Sequence, residues 1–327
     1  MVDTQALRYA VVEGWEQLPA GTTHLDCVGV DVDAEDNVYL LTRDENQVLV
    51  YRRDGSFVRA WGKGLFEGGR PHGLRFGPDG NLYLVDDNGH CVYVTTPRGE
   101  LIRTIGAKGQ PSETGYSGTL ESIKGGPPFN APTNVAFGPT GDLYVTDGYR
   151  NARVHRFSPT GELKQSFGGP GNGPGQFNLP HGIAVTEDRR VLVADRENDR
   201  IQVFDLDGTF LTTWSDVQRP TNLDIDSSGR IYVAELWRPV GQDSYVHGPT
   251  SEDRPGRVSI YDNGGKLLAR FGASSEMRAE PGYFVAPHDV CVDSHGDLYV
   301  AEVTKTFGWP RGVPRSAHSF QKLAPAG

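Results

Sequence analysis

The sequence predicts an all-β chain closed into a six-bladed β-propeller. Three observations predict it. A strand–turn–strand unit recurs six times; its apolar runs are strand-sized and alternate with polar residues; glycine and proline number 42 and 22 of 327 residues, too many for a helical bundle.

The unit opens with proline, a polar residue and a short apolar strand. A turn such as Asp-Gly follows, and then a strand of Leu-Tyr-Val type. The clearest copies are PHGLRFGPDGNLYLVDD (71–87), PTNVAFGPTGDLYVTDG (132–148) and PHGIAVTEDRRVLVADR (180–196). PTNLDIDSSGRIYVAEL (220–236) and PHDVCVDSHGDLYVAEV (287–303) follow, and CVGVDVDAEDNVYLLTR (27–43) is an earlier copy without the proline. Four copies lead directly into two more strands, as in QVLVYRRDGSFVRAWG (47–62) and RIQVFDLDGTFLTTWS (200–215). Four antiparallel strands per repeat of roughly 40–50 residues describe a propeller blade. The two longest intervals between copies contain Gly/Pro-rich insertions, 107–131 and 237–256, expected as loops on one face. After the sixth copy only one further strand, within SFQKLAPAG, remains. The N-terminal RYAVVEGWEQLP (8–19) has the missing shape, so the N-terminal strand is expected to complete the last blade and remove an open edge. Residues 1–327 read as one domain, and the six-fold self-similarity argues against a β-sandwich.

Composition narrows the function classes. A hydrophobic content of 37% supports a core rather than disorder. A net charge of −10 leaves no excess of cations for a phosphate backbone, so no nucleic-acid partner is expected. No apolar run is long enough for a membrane helix, and the N-terminus lacks the pattern of a secretory signal. Cys27, Cys91 and Cys291 are an odd count, suited to a reducing compartment; the expectation is a cytoplasmic protein with no membrane partner.

In a propeller the first strand of each blade lines the central channel. The position after the proline reads Val28, His72, Thr133, His181, Thr221 and His288. Histidine falls on blades two, four and six, which a ring of six sets about 120° apart. Three imidazoles converging on an axis match a catalytic zinc site with a fourth position open. Imidazoles without a carboxylate favour Zn2+ over iron or manganese. The structural alternative is a set of polar channel residues holding water. His24, His90, His155, His247, His295 and His318 lie outside the slot and read mostly as surface or turn residues; His247 sits in the fifth-blade insertion, within reach of the channel mouth.

The motifs PHGL (71–74), DGYRNARV (147–154), GQFNLPHGIAV (175–185), ADRENDRIQVF (194–204) and PHDV (287–290) make the chain resemble the catalytic core of peptidyl-α-hydroxyglycine α-amidating lyase, a propeller of NHL-type repeats. The resemblance implies zinc on His72, His181 and His288. It implies a catalytic role for Tyr149 and Arg43, and substrate binding by Arg43 and Arg196. It also implies a structural Ca2+ held by Asp289 and the backbone carbonyls of Val30 and Leu74. The chain departs from the family's secreted members at Arg150 and Val203, where they carry disulfide cysteines. It departs again at Ala286, often methionine in the family, where a smaller side chain enlarges the pocket.

The implied reaction splits an N-acyl carbinolamine into an amide and glyoxylate, with a peptide or small-molecule carbinolamine as partner. Zinc would supply Lewis acidity, Tyr149 would take the proton, and the arginines would grip the substrate carboxylate in a bidentate fork. The structural alternative pairs the two arginines with Asp87 or Asp195. Two other functions use the same frame: a zinc-dependent hydrolase or lactonase, and a non-catalytic NHL interaction module.

Overall fold

A computed structural model describes residues 7–43, 48–66, 68–244, 248–272 and 274–326. His247 lies outside the described residues. Six four-stranded antiparallel sheets form the ring. Their innermost strands are Cys27–Val32, Pro71–Phe76, Asn134–Phe137, Pro180–Val185, Pro220–Ile225 and Pro287–Val292. These coincide with the apolar first strands of the six sequence copies. The second and third strands are covered on both faces by neighbouring blades, so Leu82–Asp86 and Cys91–Thr95 are buried throughout. Outer strands such as Leu101–Gly106 face solvent over most of their length.

The sixth blade is composite. Its strands are Pro287–Val292, Leu298–Glu302, Phe320–Pro325 and, from the other end of the chain, Tyr9–Val11. Tyr9 pairs with Pro325, Ala10 with Ala324 and Val11 with Leu323, so the ring closes as the sequence predicts. Just beyond the closing strand, Trp15 packs against Tyr51, Tyr299 and Phe320 with ring centroids 5.6, 5.4 and 5.8 Å away. It thereby bonds blade six to blade one.

The core is divided among the seams between blades. The recurrent Leu-Tyr-Val signature supplies it: Tyr39, Tyr83, Tyr144, Tyr232 and Tyr299 are all buried there. A second repeated device is a carboxylate at the end of the second strand. Asp86, Asp147, Asp195, Glu235 and Glu302 accept backbone N–H bonds from Arg70, Asn130, Asn178, Gln218 and Val285 at 2.5–3.0 Å. Each carboxylate fixes the segment that enters its own blade's innermost strand, where the candidate site residues begin.

Both predicted insertions lie at the end of the ring where innermost strands start and second strands finish. Segment 107–131 carries a short 3-10 turn, Leu120–Ser122, and segment 237–256 carries the two-residue pairing Asp243–Ser244 with Gly248–Pro249. A third segment at this end lies outside the repeats. Between Glu302 and Phe320 the chain forms a π-helical turn, Thr304–Gly308, and a 3-10 turn, Trp309–Arg311. Thr306 donates from its backbone N–H and its hydroxyl to Asp26, which ties this cover to blade one.

Candidate metal centre

Local backbone geometry aims the slot residues. In five blades the pairing between first and second strands slips by one residue at the slot, for example between Pro71 and Gly73, Pro180 and Gly182, and Pro287 and Asp289. The residue left over is His72, His181 or His288, and a bulge of this kind redirects its side chain. The three rings meet, with centroids 4.7–4.9 Å apart. One potential ligand atom from each lies within 4.8 Å of the others.

A second set of contacts orients the rings. His72 donates from Nδ1 to the Thr133 carbonyl at 2.8 Å, His181 to the Thr221 carbonyl at 2.7 Å and His288 to the Val28 carbonyl at 2.8 Å. Each acceptor is the slot residue of the following blade. A carbonyl accepts only, so each Nδ1 must carry the proton and each Nε2 is left unprotonated, with its lone pair facing the site. The threonines extend the belt: Thr133 and Thr221 donate from Oγ1 to the carbonyls of Pro180 and Pro287 at 3.0 and 2.9 Å. Val28 has no hydroxyl; there Arg43 Nε reaches the Pro71 carbonyl at 3.4 Å.

Burial holds all three imidazoles well below their ordinary pKa. The next cause is His181 for His72, Arg196 for His181 and Arg43 for His288. Neutral imidazoles with fixed Nδ1–H tautomers and converging Nε2 atoms are the form a metal ion requires, and the anchoring carbonyls provide the outer support such sites use. The donor set fits zinc.

Tyr149 follows the strand Leu143–Asp147 and places Oη 3.0 Å from His72 Nε2 and 3.4 Å from His181 Nε2. Arg196 lies over its ring at 5.6 Å and Arg70 at 5.9 Å. Arg43 sits nearby, its guanidinium pKa lowered by burial and by Arg70. The structure therefore gathers His72, His181, His288, Tyr149, Arg43 and Arg196 at one end of the channel.

The partners of the arginines differ from the structural alternative. Asp87 pairs with Arg70 and Asp195 with Arg200. Arg43 has Asp26 at 3.8 Å, and Arg196 pairs with Glu197 at 2.8 Å. Glu197 also holds Arg219 at 2.7 Å. Arg70, Arg219 and the cover residue Phe307, which has Arg219 at 5.5 Å and Arg311 at 3.8 Å from its ring, are site-end residues that the repeat register did not single out. Arg70 precedes the slot by two residues, and that placement was its only signal.

Among the remaining histidines, His155 departs from the surface-or-turn expectation: it lies in a strand and is fully buried against Asp147, whereas His90 is a turn residue. Two of the expected calcium ligands already have a partner. Arg75 donates from Nη1 to the Val30 carbonyl at 2.8 Å and from Nη2 to Asp289 Oδ1 at 3.2 Å. A guanidinium on two of the three expected ligands does not fit a divalent cation there. Leu74 is buried beside it. Of the departure positions, Arg150 lies over the Tyr116 ring at 5.9 Å, and Val203 and Ala286 are fully buried. Cys27, Cys91 and Cys291 are free and buried.

Known proteins resemble this chain in sequence and in fold. Residues 129–157 and 177–204 match the NHL repeat. NHL repeat-containing protein 3 of Homo sapiens is 31% identical over 252 residues, which cover 71% of this chain and 68% of that protein. Peptidyl-alpha-hydroxyglycine alpha-amidating lyase 1 of Drosophila melanogaster is 31% identical over 267 residues, 74% of this chain and 44% of that protein. The chain thus spans less than half of this second relative. A streptogramin B lyase structure superposes with a TM-score of 0.61 over 98% of both chains at 12% identity, a likeness of fold. Its six blades, NHL repeats and this kinship show that the chain belongs to the NHL-repeat β-propeller family and, within it, resembles the peptidyl-α-hydroxyglycine α-amidating lyases.

Proposed function

We propose that the protein is a zinc-dependent carbon–nitrogen lyase that cleaves an N-acyl carbinolamine bearing a carboxylate, releasing an amide and glyoxylate. One observation carries the reading: three imidazoles on alternate blades, each locked through Nδ1, turn Nε2 toward a common point beside the Tyr149 hydroxyl. The amidating-lyase relatives support the choice of reaction.

A zinc ion on the three Nε2 atoms would supply Lewis acidity at an open position. The protein supplies the rest. Tyr149 Oη accepts the carbinol proton, the C–N bond breaks as the carbonyl of glyoxylate forms, and the proton is returned to the departing amide nitrogen. Arg196 and Arg70 lie over the Tyr149 ring, 5.6 and 5.9 Å from its centroid. Arg43 and Arg196 hold the substrate carboxylate.

Metal analysis followed by a glyoxylate assay tests the proposal, using a benzoyl- or peptidyl-α-hydroxyglycine and a small ureidoglycolate-like carbinolamine. His181→Ala should lose bound zinc. Tyr149→Phe should keep it and lose about 10²–10⁴ in kcat. Fully metallated protein that releases no glyoxylate but hydrolyses esters or lactones would overturn the lyase reading in favour of a hydrolase.

A further inference from the structure

The channel below the histidines holds a second polar cluster, which has no part in the chemistry above. Three positions after the slot the six inner strands carry Asp31, Arg75, Ala136, Ala184, Asp224 and Cys291. Arg75 is only 8% exposed, although it lies at the centre of the ring. Its Nη1 donates to the carbonyl of Val30, and its Nη2 to the carbonyl of Leu223 at 3.1 Å and to Asp289 Oδ1. Val30 and Leu223 occupy equivalent positions of blades one and five, and Asp289 belongs to blade six. One guanidinium from blade two therefore joins three other blades across the axis.

The carboxylates around it are also anchored to backbone. Asp289 Oδ2 accepts from Val30 N–H at 2.9 Å and its Oδ1 from Val290 N–H at 2.8 Å and from the Asn222 amide. Asp31 accepts from Phe76 N–H and Asp224 from Val292 N–H, both at 2.8 Å. Each of these bonds crosses from one blade to another, except that to Val290. Small residues, Ala136 and Ala184, leave room on the opposite side, where the far mouth of the channel opens as a cavity of about 230 Å³.

We infer that Arg75 is a built-in cation that ties the blades together at the place where the family resemblance puts a calcium ion, so that this propeller needs no structural calcium. The chemistry of the two cations is alike in what they gather, carbonyl and carboxylate oxygens from several blades. It differs in geometry: a guanidinium offers five N–H donors in one plane, whereas calcium takes six to eight oxygens around it. The two cannot share the Val30 carbonyl and Asp289 Oδ1. The inference is independent of the lyase reading, because its test reads stability and calcium binding rather than turnover.

The test compares the zinc-loaded wild-type chain with Arg75→Ser and Arg75→Met in about 1 mM calcium and in a calcium-selective chelator, by thermal unfolding and calorimetric calcium titration. The wild type should unfold at the same temperature in both and bind no calcium. Arg75→Met should unfold several degrees lower in both. Arg75→Ser, which opens the space and frees the oxygens, should fall in chelator and recover at least half of the loss in calcium. A calcium-raised Tm in the wild type overturns the inference. So does an Arg75→Ser variant as stable as wild type in chelator, or one whose loss calcium leaves uncorrected. Should Arg75→Ser fail to fold, the wild-type titration and Arg75→Met decide.

Discussion

The contact between blades four and five is tight enough that one methyl group should disturb the proposed metal centre. Gly182 follows His181 on the innermost strand of blade four. A Cβ there would lie 2.5 Å from Asn222 Cα, 2.6 Å from Asn222 Oδ1 and 2.6 Å from the Thr221 carbonyl oxygen. That carbonyl is the acceptor for His181 Nδ1. Ordinary carbon contacts are about 3.5–4.0 Å, so Gly182→Ala must open the seam by roughly 1 Å. Overpacking of this kind costs about 1–3 kcal/mol. Unfolding entropy of ~2.1 cal/mol/K per residue, taken over 327 residues, makes that a fall of roughly 2–4 °C in Tm. The displaced anchor should weaken zinc binding by about 10–100-fold, the usual effect of losing an outer-sphere partner. Gly169 has nothing within 4 Å of an added Cβ, so Gly169→Ala is the control. Calorimetry and competition with a zinc chelator read the two effects. A Gly182→Ala protein with Tm within about 1 °C of the control and unchanged zinc affinity would refute the claim that the seam positions His181.

Charge substitutions should show opposite pH signatures. Burial alone would raise the Glu197 pKa, but Arg196 and Arg219 outweigh it and push the carboxyl down to about 2. Glu197→Gln leaves two buried guanidiniums without their shared partner and should cost about 3–5 kcal/mol at neutral pH. A depressed carboxyl stabilises above its unfolded value of about 4.3 and loses that contribution as pH falls toward the folded value. Urea-unfolding curves of wild type and Glu197→Gln should therefore converge in acid; a gap constant down to about pH 2 contradicts the pairing. His318 behaves in the reverse sense: burial would lower its pKa, but Glu302, 3.0 Å away, raises it. A raised histidine stabilises fully below about pH 6.5 and loses that contribution as pH rises through its folded value. The Tm advantage of wild type over His318→Asn should shrink from about pH 6 to pH 9, and a pH-independent difference speaks against the ion pair.

The sequence by itself determined the ring. Period-two apolar strands, Asp-Gly-type turns and the recurrent tyrosine are local features, and six copies of them leave an N-terminal strand with one place to go. The alternation of histidine with threonine or valine is also readable, because one repeat register maps onto one level of the channel. Tertiary structure decided what those residues touch. Which carboxylate meets which arginine is decided off the repeated positions: Arg43 finds Asp26, just ahead of its own blade's first strand, and Arg196 finds Glu197, its neighbour in a 3-10 turn, rather than Asp87 or Asp195. The Nδ1 anchors are carbonyls of the following blade, so residue type carries no trace of them. Arg75 shows the same limit. On its own strand it is one polar residue in an apolar run; only closure of the ring puts its guanidinium against oxygens from blades one, five and six. Periodicity reports which way a side chain points from its own backbone, whereas its partners across the channel are set by the geometry of closure.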